Sequence, residues 1–234
     1  MKQMLVFSLL FLSFSSLNAQ SKNVLRFIGE YQSIAHENKN GNRFTIEKWE
    51  ERDTLYYKIE GELFYLSPKN FKKYLAKIEG LSGITFRETT EREKADIIMF
   101  IGDLQDYFRY IKSDIPINLT NNFDNWNNRK YTPAKQLRSA TFCVDPQKTK
   151  TPERNRYLIK RGILKSIGFW GQSEDDYSMF YKYNTKNNLR LSKNDKRVIK
   201  LHYNSSIKAN MSVSESKETI LKNIDIEFLL KQKL

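Results

Sequence analysis

Cysteine and histidine are both scarce in this sequence of 234 residues, which contains one cysteine and two histidines. The single cysteine, Cys143, excludes an intramolecular disulfide, and the chain is long enough to bury a stabilising core without one. The histidines, His36 and His202, do not stand in a metal-ligand spacing, which argues against a histidine-based metal site. Because the sequence offers the thiol no histidine partner, Cys143 is expected to be a buried strand residue rather than a nucleophile.

Long hydrophobic runs are equally scarce. The single run, Leu5 to Leu17, follows Lys2 and precedes a small residue, Ala19. This run is shorter than the roughly 20 apolar residues that a membrane-spanning helix needs, and no second run exists. The pattern predicts a signal peptide over residues 1–19, cleaved after Ala19, and therefore a secreted or periplasmic protein without a transmembrane segment.

Acidic residues are outnumbered, since 40 lysines and arginines stand against 27 aspartates and glutamates and give a net charge of +13. Charge of this sign attracts acidic polysaccharides and anionic lipid headgroups. The basic residues are spread along the chain, without the clustering or the stacked-aromatic motif of nucleic-acid-binding proteins. A nucleic-acid partner is therefore not expected.

Five segments have the composition of β-strands. Two of them, 44–49 and 54–60, are rich in aromatic and β-branched residues, as in a half-buried sheet. Two more, 84–88 and 139–144, are short. The segment 95–101 is a nearly continuous apolar run, which predicts a central strand covered on both faces.

Three helices are marked by their ends. A serine and a first-turn proline begin a predicted helix at Ser67, which Gly80 is expected to end. A threonine and a proline begin the second at Thr151, and Gly168 follows its apolar stripe. A capping box begins the third at Ser192. The long polar stretch 103–137 is expected to be an irregular insertion with a short helix, of the kind that often binds a ligand.

Several local patterns, taken in order, resemble one protein family. They are Gly83-Ile-Thr-Phe-Arg-Glu88, Ala95-Asp-Ile-Ile-Met-Phe100, Ser166-Ile-Gly-Phe169, Tyr177-Ser-Met-Phe-Tyr181 and Leu191-Ser-Lys-Asn-Asp195. They are similar to two strands, the end of the zinc-binding helix, the methionine turn and the last helix of metzincin zinc peptidases, matrixin-type domains especially. A group of secreted bacterial domains that keep this frame without the zinc ligands shows a similar pattern.

The resemblance covers residues 44–204 and implies a fold. The implied class is α+β and zincin-like (metzincin-type), a mixed sheet with an active-site-like helix packed on it. The rest of the chain then divides into the signal peptide 1–19, an N-terminal polar segment 20–43 and a C-terminal tail 205–234, which carries a predicted helix between Lys217 and Leu230.

The zinc ligands of that family are missing from this sequence. The family's helix needs His-Glu-x-x-His, so that two imidazoles meet one zinc beside a glutamate that activates water. When Gly168 is placed on the family's glycine, these positions hold Arg161, Gly162 and Lys165, and the third ligand falls on Gly171. No zinc, other cofactor or peptidase activity is therefore expected.

The sequence leaves three functions open. The first is a catalytically inactive, peptidase-like module that binds an extended peptide or an acidic polymer, with Arg161, Lys165 and Tyr177 as candidate binding residues. The second is a hydrolase with an unidentified site that does not use zinc. The third is a basic envelope protein that binds acidic polysaccharide or lipid through charge alone.

Overall fold

The structure is a computed structural model, and the part of the chain that it describes excludes the predicted signal peptide. The described residues are 22–36, 38–39, 42–43, 45–50, 52–113, 123–134, 136–182 and 187–232. No helix within these ranges combines the length and the apolar character needed to cross a membrane.

A five-stranded mixed sheet forms the centre of this α/β protein. Its strand order is β4-β3-β5-β7-β6, in which the first four strands run parallel and the edge strand β6 runs antiparallel to β7. A separate antiparallel pair, β1 with β2, precedes it. The strands are β1 (Asn38–Lys39), β2 (Asn42–Arg43), β3 (Thr54–Gly61), β4 (Thr85–Glu88), β5 (Ile97–Ile101), β6 (Asn125–Tyr131) and β7 (Leu137–Val144).

The described residues form seven α-helices around the sheet. They are α1 (residues 22–35), α2 (Pro68–Ser82), α3 (Leu104–Tyr110), α4 (Pro152–Ser166), α5 (Lys193–His202), α6 (Val213–Asn223) and α7 (Ile226–Lys231). The predicted starts of α2, α4 and α5 are confirmed. Ser67 and Thr151 each accept a hydrogen bond from the first turn, and Ser192 forms a capping box with Asp195. The predicted end of α2 at Gly80 is wrong, because the left-handed residue that caps it is Gly83, with φ 77°.

Most predicted strands are confirmed, and β5 is central and almost fully buried, as its apolar run indicates. The strand predicted over 44–49 is wrong, since residues 45–50 have no regular secondary structure. The backbone of this segment bonds to two separate parts of the chain, with Ile46 paired to the 210–211 turn and Lys48 accepting from Leu137. It therefore joins elements together instead of adding to the sheet.

Three further elements lie where the sequence predicted little structure or a different one. Helix α1 falls within the segment described as polar, and it buries Phe27, Ile28, Tyr31 and Ile34 on one face. Strand β6 lies within the predicted irregular insertion, where α3 provides the expected short helix. The helix predicted over 217–230 is two helices, α6 and α7, because Asp225 caps a new first turn.

One hydrophobic core joins α1 and the C-terminal helices to the sheet. Buried residues of α1, of the central strands and of α4 belong to the same cluster as Ile207, Ile220, Ile226 and Leu229 of the C-terminal segment. Gln32 of α1 donates to the carbonyl of Val213 at 2.7 Å, and the ring of His36 lies 3.1 Å from the Ser216 hydroxyl. The first and last helices are therefore packed against the sheet domain.

His202, at the end of α5, is a buried histidine in this core. Its Nδ1 lies 3.3 Å from the Tyr31 hydroxyl and its Nε2 lies 3.1 Å from the Glu47 carbonyl oxygen. Since a carbonyl only accepts, Nε2 carries the proton and Nδ1 accepts from Tyr31. Burial, reinforced by the charge of Lys48, lowers the pKa of His202 well below its usual value, so the ring stays neutral.

This neutral ring predicts a loss of stability in mild acid. Below pH ~6.5 the unfolded chain protonates His202 and the native state does not, so the free energy of unfolding falls by about 1.4 kcal/mol per pH unit. The free energy of unfolding would be measured by urea titration between about pH 7 and 5. Its slope against pH should be smaller in His202→Gln than in the wild type by about 1.4 kcal/mol per pH unit, the contribution of one proton. An unchanged slope in the variant would contradict the neutral state assigned to the buried His202 ring.

Candidate functional site

An open cleft lies between helix α4 and the edge strand β6. Its volume is about 390 Å³, which falls within the range of small-ligand sites. We call it the α4–β6 cleft, and its lining residues are Phe123, Asn125, Trp126, Asn127, Arg154, Tyr157, Leu158, Arg161, Lys165, Trp170, Gln172, Tyr181 and Lys182.

The charged side chains of this cleft are all cations, and no carboxylate lines it. Two of these cations pair with carboxylates that do not line the cleft. Arg154 pairs with Asp124 at 2.8 Å, and Lys182 pairs with Glu174 at 2.6 Å. The ammonium of Lys165 lies 5.3 Å from the centroid of the Trp170 ring, a cation–π arrangement. The α4–β6 cleft is therefore positive, but only moderately so.

Aromatic rings form much of the cleft surface. Trp126 packs edge-to-face against Phe123, with ring centroids 5.6 Å apart. The guanidinium of Arg129, which also pairs with Glu47, lies 3.5 Å from the centroid of Trp170 and fixes that indole in place. Rigid rings of this kind provide contact area at a low cost in conformational entropy.

Two polar atoms at the cleft are buried and lack a hydrogen-bond partner among the described residues. One is the donor Nε1 of Trp170, and the other is the acceptor Oδ1 of Asn127. A buried polar group without a partner costs about 1–3 kcal/mol, so such groups need an explanation. A ligand that accepts from Trp170 and donates to Asn127 would provide one.

Arg161 lies at the back of the cleft and is almost fully buried. Its two terminal nitrogens donate to the carbonyl oxygens of Phe169 at 3.1 Å and Gly171 at 2.8 Å. The guanidinium carbon lies 4.8 Å from the centroid of the Phe180 ring. Burial lowers the pKa of Arg161, with nearby Tyr157 acting in the opposite direction, and the group nevertheless stays charged because an arginine pKa starts so high.

The positions implied for zinc ligands do not fit a zinc ion. Arg161 is committed to two carbonyls, and a Cβ at Gly171 would overlap the carbonyl oxygen of Ser33 at the end of α1. A Cβ at Gly162 would lie 2.5 Å from the Phe142 ring. Within the described ranges, no three His, Cys, Asp or Glu side chains are gathered in a way that could hold a metal.

The structure brings together two of the three candidate binding residues. Arg161 and Lys165 both line the α4–β6 cleft, whereas Tyr177 is 75% exposed and does not contribute to its lining. Trp170 and Asn127 were not singled out by the sequence. A tryptophan two residues after the glycine that follows a helix is the signal that would have identified Trp170.

The neighbouring turn is held by a buried carboxylate. Asp195 accepts from the Ser178 hydroxyl at 2.5 Å and from the backbone amide of Met179 at 3.0 Å, while its burial raises its pKa. Met179 is fully buried in the core. Cys143 is also buried, and burial raises the pKa of its thiol, so it has the character of an inert core residue.

The sequence matches no protein-family model and no curated protein. The function of this chain is therefore inferred from its own sequence and geometry.

Replacing Arg161 should destabilise the protein strongly. In Arg161→Met the carbonyls of Phe169 and Gly171 lose their donors inside the core, so we expect the free energy of unfolding to fall by about 3 kcal/mol in urea titrations. Arg161→Lys should also be destabilising, because one ammonium lacks the planar fork that reaches two acceptors. Lys165→Met, on the same helix face, should cost less than about 1 kcal/mol, and equal costs for Arg161 and Lys165 would contradict this role.

Proposed function

We propose that this chain is an exported zincin-like domain without peptidase activity, which binds an extended peptide or polymer in the α4–β6 cleft. The proposal has three supports: the order of the elements, the chemistry at the implied ligand positions and the free edge of β6.

The order of elements supports the zincin-like frame. A strand, a helix, two strands, an insertion, a further strand and the helix α4 follow one another as the resemblance implies. The buried turn around Met179 lies below α4, where Tyr157 of that helix donates to the Met179 carbonyl at 3.3 Å. Asp195 at the start of α5 ties the same turn to the last helix of the frame.

The chemistry at the ligand positions argues against a peptidase of this type. A zinc peptidase needs an open coordination position for water and a general base beside it. Here the first position is an arginine that is fully engaged with carbonyls, and the position of the general base is Gly162, packed against an aromatic ring. We derive no catalytic step from these residues.

The free edge of β6 is the observation on which binding depends. Within the described part of the chain, β6 pairs with β7 on one side and no strand pairs with its other side. An unpaired edge can add an extended peptide as a further strand through main-chain hydrogen bonds. The aromatic rings and the unpartnered polar atoms of the cleft lie beside this edge and would contact the side chains of such a peptide.

The absence of zinc is the first prediction from this proposal. Mass spectrometry of the purified mature protein, after dialysis against trace zinc, should detect far less than one zinc per folded chain. Near-stoichiometric zinc would contradict the proposal, since the residues at the implied ligand positions could not account for it.

Binding of an extended peptide is the second prediction. An array of 12-residue peptides of varied charge would supply a probe, whose dissociation constant would be measured by fluorescence polarisation. Trp170→Phe and Asn127→Leu should each weaken binding by about threefold to tenfold, because each removes one hydrogen-bonding group. Their free energies of unfolding should change by less than about 1 kcal/mol, since each change also removes an unpartnered buried atom.

Two controls make this test specific. Tyr177→Ala, outside the cleft lining, should leave the affinity within about twofold. Methylating alternate backbone amides of the probe should abolish binding in one register and not in the other, because only every second residue of an added strand bonds to its neighbour. No binder in the array, or equal tolerance of both methylation registers, would overturn the proposed mode of binding.

A further inference from the structure

A second concave site lies on the other side of α4, against α2 and the segment 189–191. Its volume is about 340 Å³. We call it the α2–α4 pocket, and its lining residues are Leu66, Asn70, Lys73, Tyr74, Lys77, Arg156, Lys160, Leu189, Arg190 and Leu191. Five of these ten residues are cations and none is an acid.

The cations of the α2–α4 pocket are largely unneutralised. Lys73, Lys77 and Arg190 form no ion pair with any carboxylate in the described part of the chain. Lys160 donates to the carbonyl oxygen of Leu189 at 2.8 Å, which leaves its charge uncompensated. Arg156 alone pairs with an acid, the exposed Glu153 one turn earlier on α4. In the α4–β6 cleft, by comparison, Arg154 and Lys182 have carboxylate partners.

The cations are close enough to repel one another. Burial lowers the pKa of Lys77, and the charges of Lys196, Arg190 and Lys73 lower it further. Burial likewise lowers the pKa of Lys160, with Arg156, Lys77 and Arg190 adding to the effect. Like charges held together at this density cost free energy unless an anion lies between them.

Hydrogen-bond donors and an apolar base complete the pocket. The Nε of Arg156 is buried and lacks a partner among the described residues. The ring of Tyr74 lies under Lys160, 5.2 Å from its ammonium, and fixes that side chain. Leu66, Leu189 and Leu191 supply the apolar part of the lining.

We propose that the α2–α4 pocket binds a multivalent anion with the chemistry of phosphate. Phosphate oxygens accept several charge-assisted hydrogen bonds at once, and arginine and lysine are the side chains that most often provide them. The phosphate could belong to a free polyphosphate or to a lipid headgroup. This site is separate from the α4–β6 cleft, and it does not depend on the proposed peptide binding.

The test uses the full mature protein with two probes. Inorganic tripolyphosphate would be titrated by calorimetry at about 0.15 M salt, where exposed charges are screened within about 8 Å. Vesicles of phosphatidylcholine with and without phosphatidic acid would be used in co-sedimentation. We expect saturable binding with one site per chain in at least one of the two arms, and the responding arm identifies the source of the phosphate.

Lys77→Ala/Arg190→Ala should weaken that binding at least about tenfold, because it removes two charged donors from the pocket. The matched control is Arg138→Ala/Lys217→Ala, which lowers the net charge equally at two exposed positions outside the pocket and should change binding less than about twofold. Equal losses in both variants would show that net charge alone is responsible and would overturn the site. Failure to bind either probe would overturn it as well.

Proton uptake gives an independent readout. An anion between Lys77 and Lys160 would raise their lowered pKa values, so binding measured at a series of alkaline pH values should take up protons. Calorimetry in two buffers of different ionisation enthalpy measures that uptake, which Lys77→Ala/Arg190→Ala should reduce. Trp170→Phe should leave it unchanged, so failure of the peptide-binding proposal and failure of this one are distinguishable.

Discussion

The interaction on which the centre of this structure depends is the bond between the Arg161 guanidinium and two backbone carbonyls. A helix that ends against a sheet leaves the following segment free to move unless something ties it back. Arg161 does this by donating to Phe169 and Gly171 from inside α4, so that the segment after the helix is held against the helix itself. A buried, charged donor with two acceptors is stronger than neutral hydrogen bonds at the same positions.

The segment that Arg161 holds against α4 also positions α1. The amides of Gly171 and Gln172 donate to the carbonyls of Ile34 and Ser33, which are free because they lie in the last turn of α1. Gly171 can approach this closely only because it has no side chain. The contact that seats the first helix therefore leaves no room for a side chain at position 171.

Much of the sheet and of its helices could be predicted because each element carries its own local signal. The apolar run of β5 and the capping residues of α2, α4 and α5 need no information from distant parts of the chain. In contrast, β6 is rich in asparagine, which strands disfavour, and it is a strand only because β7 lies beside it. The apolar stripe of α1 is surrounded by polar residues, and its burial depends on core partners far along the chain.

Local sequence signals also identified part of the residues that line the α4–β6 cleft. Arg161 and Lys165 lie four residues apart on one helix, so their common direction follows from helix geometry. Trp170 lies in a loop and Asn127 in the edge strand β6. Tertiary packing brings these two elements together, so a local sequence pattern does not show it. Tyr177 is exposed and lies outside the lining of this cleft, although it is only two residues from the buried Met179, because neighbours in a turn need not face the same surface.

Helix α4 contributes basic side chains to two sites of different character. Arg161 and Lys165 face an aromatic cleft in which one cation is bound to carbonyls and the other lies beside a tryptophan ring. Arg156 and Lys160 face a pocket where their charges are added to those of α2. Recognition in the cleft would therefore depend on shape and main-chain hydrogen bonds, which salt affects little. Recognition in the pocket would depend on charge, so one helix could support a salt-insensitive and a salt-sensitive partner at the same time.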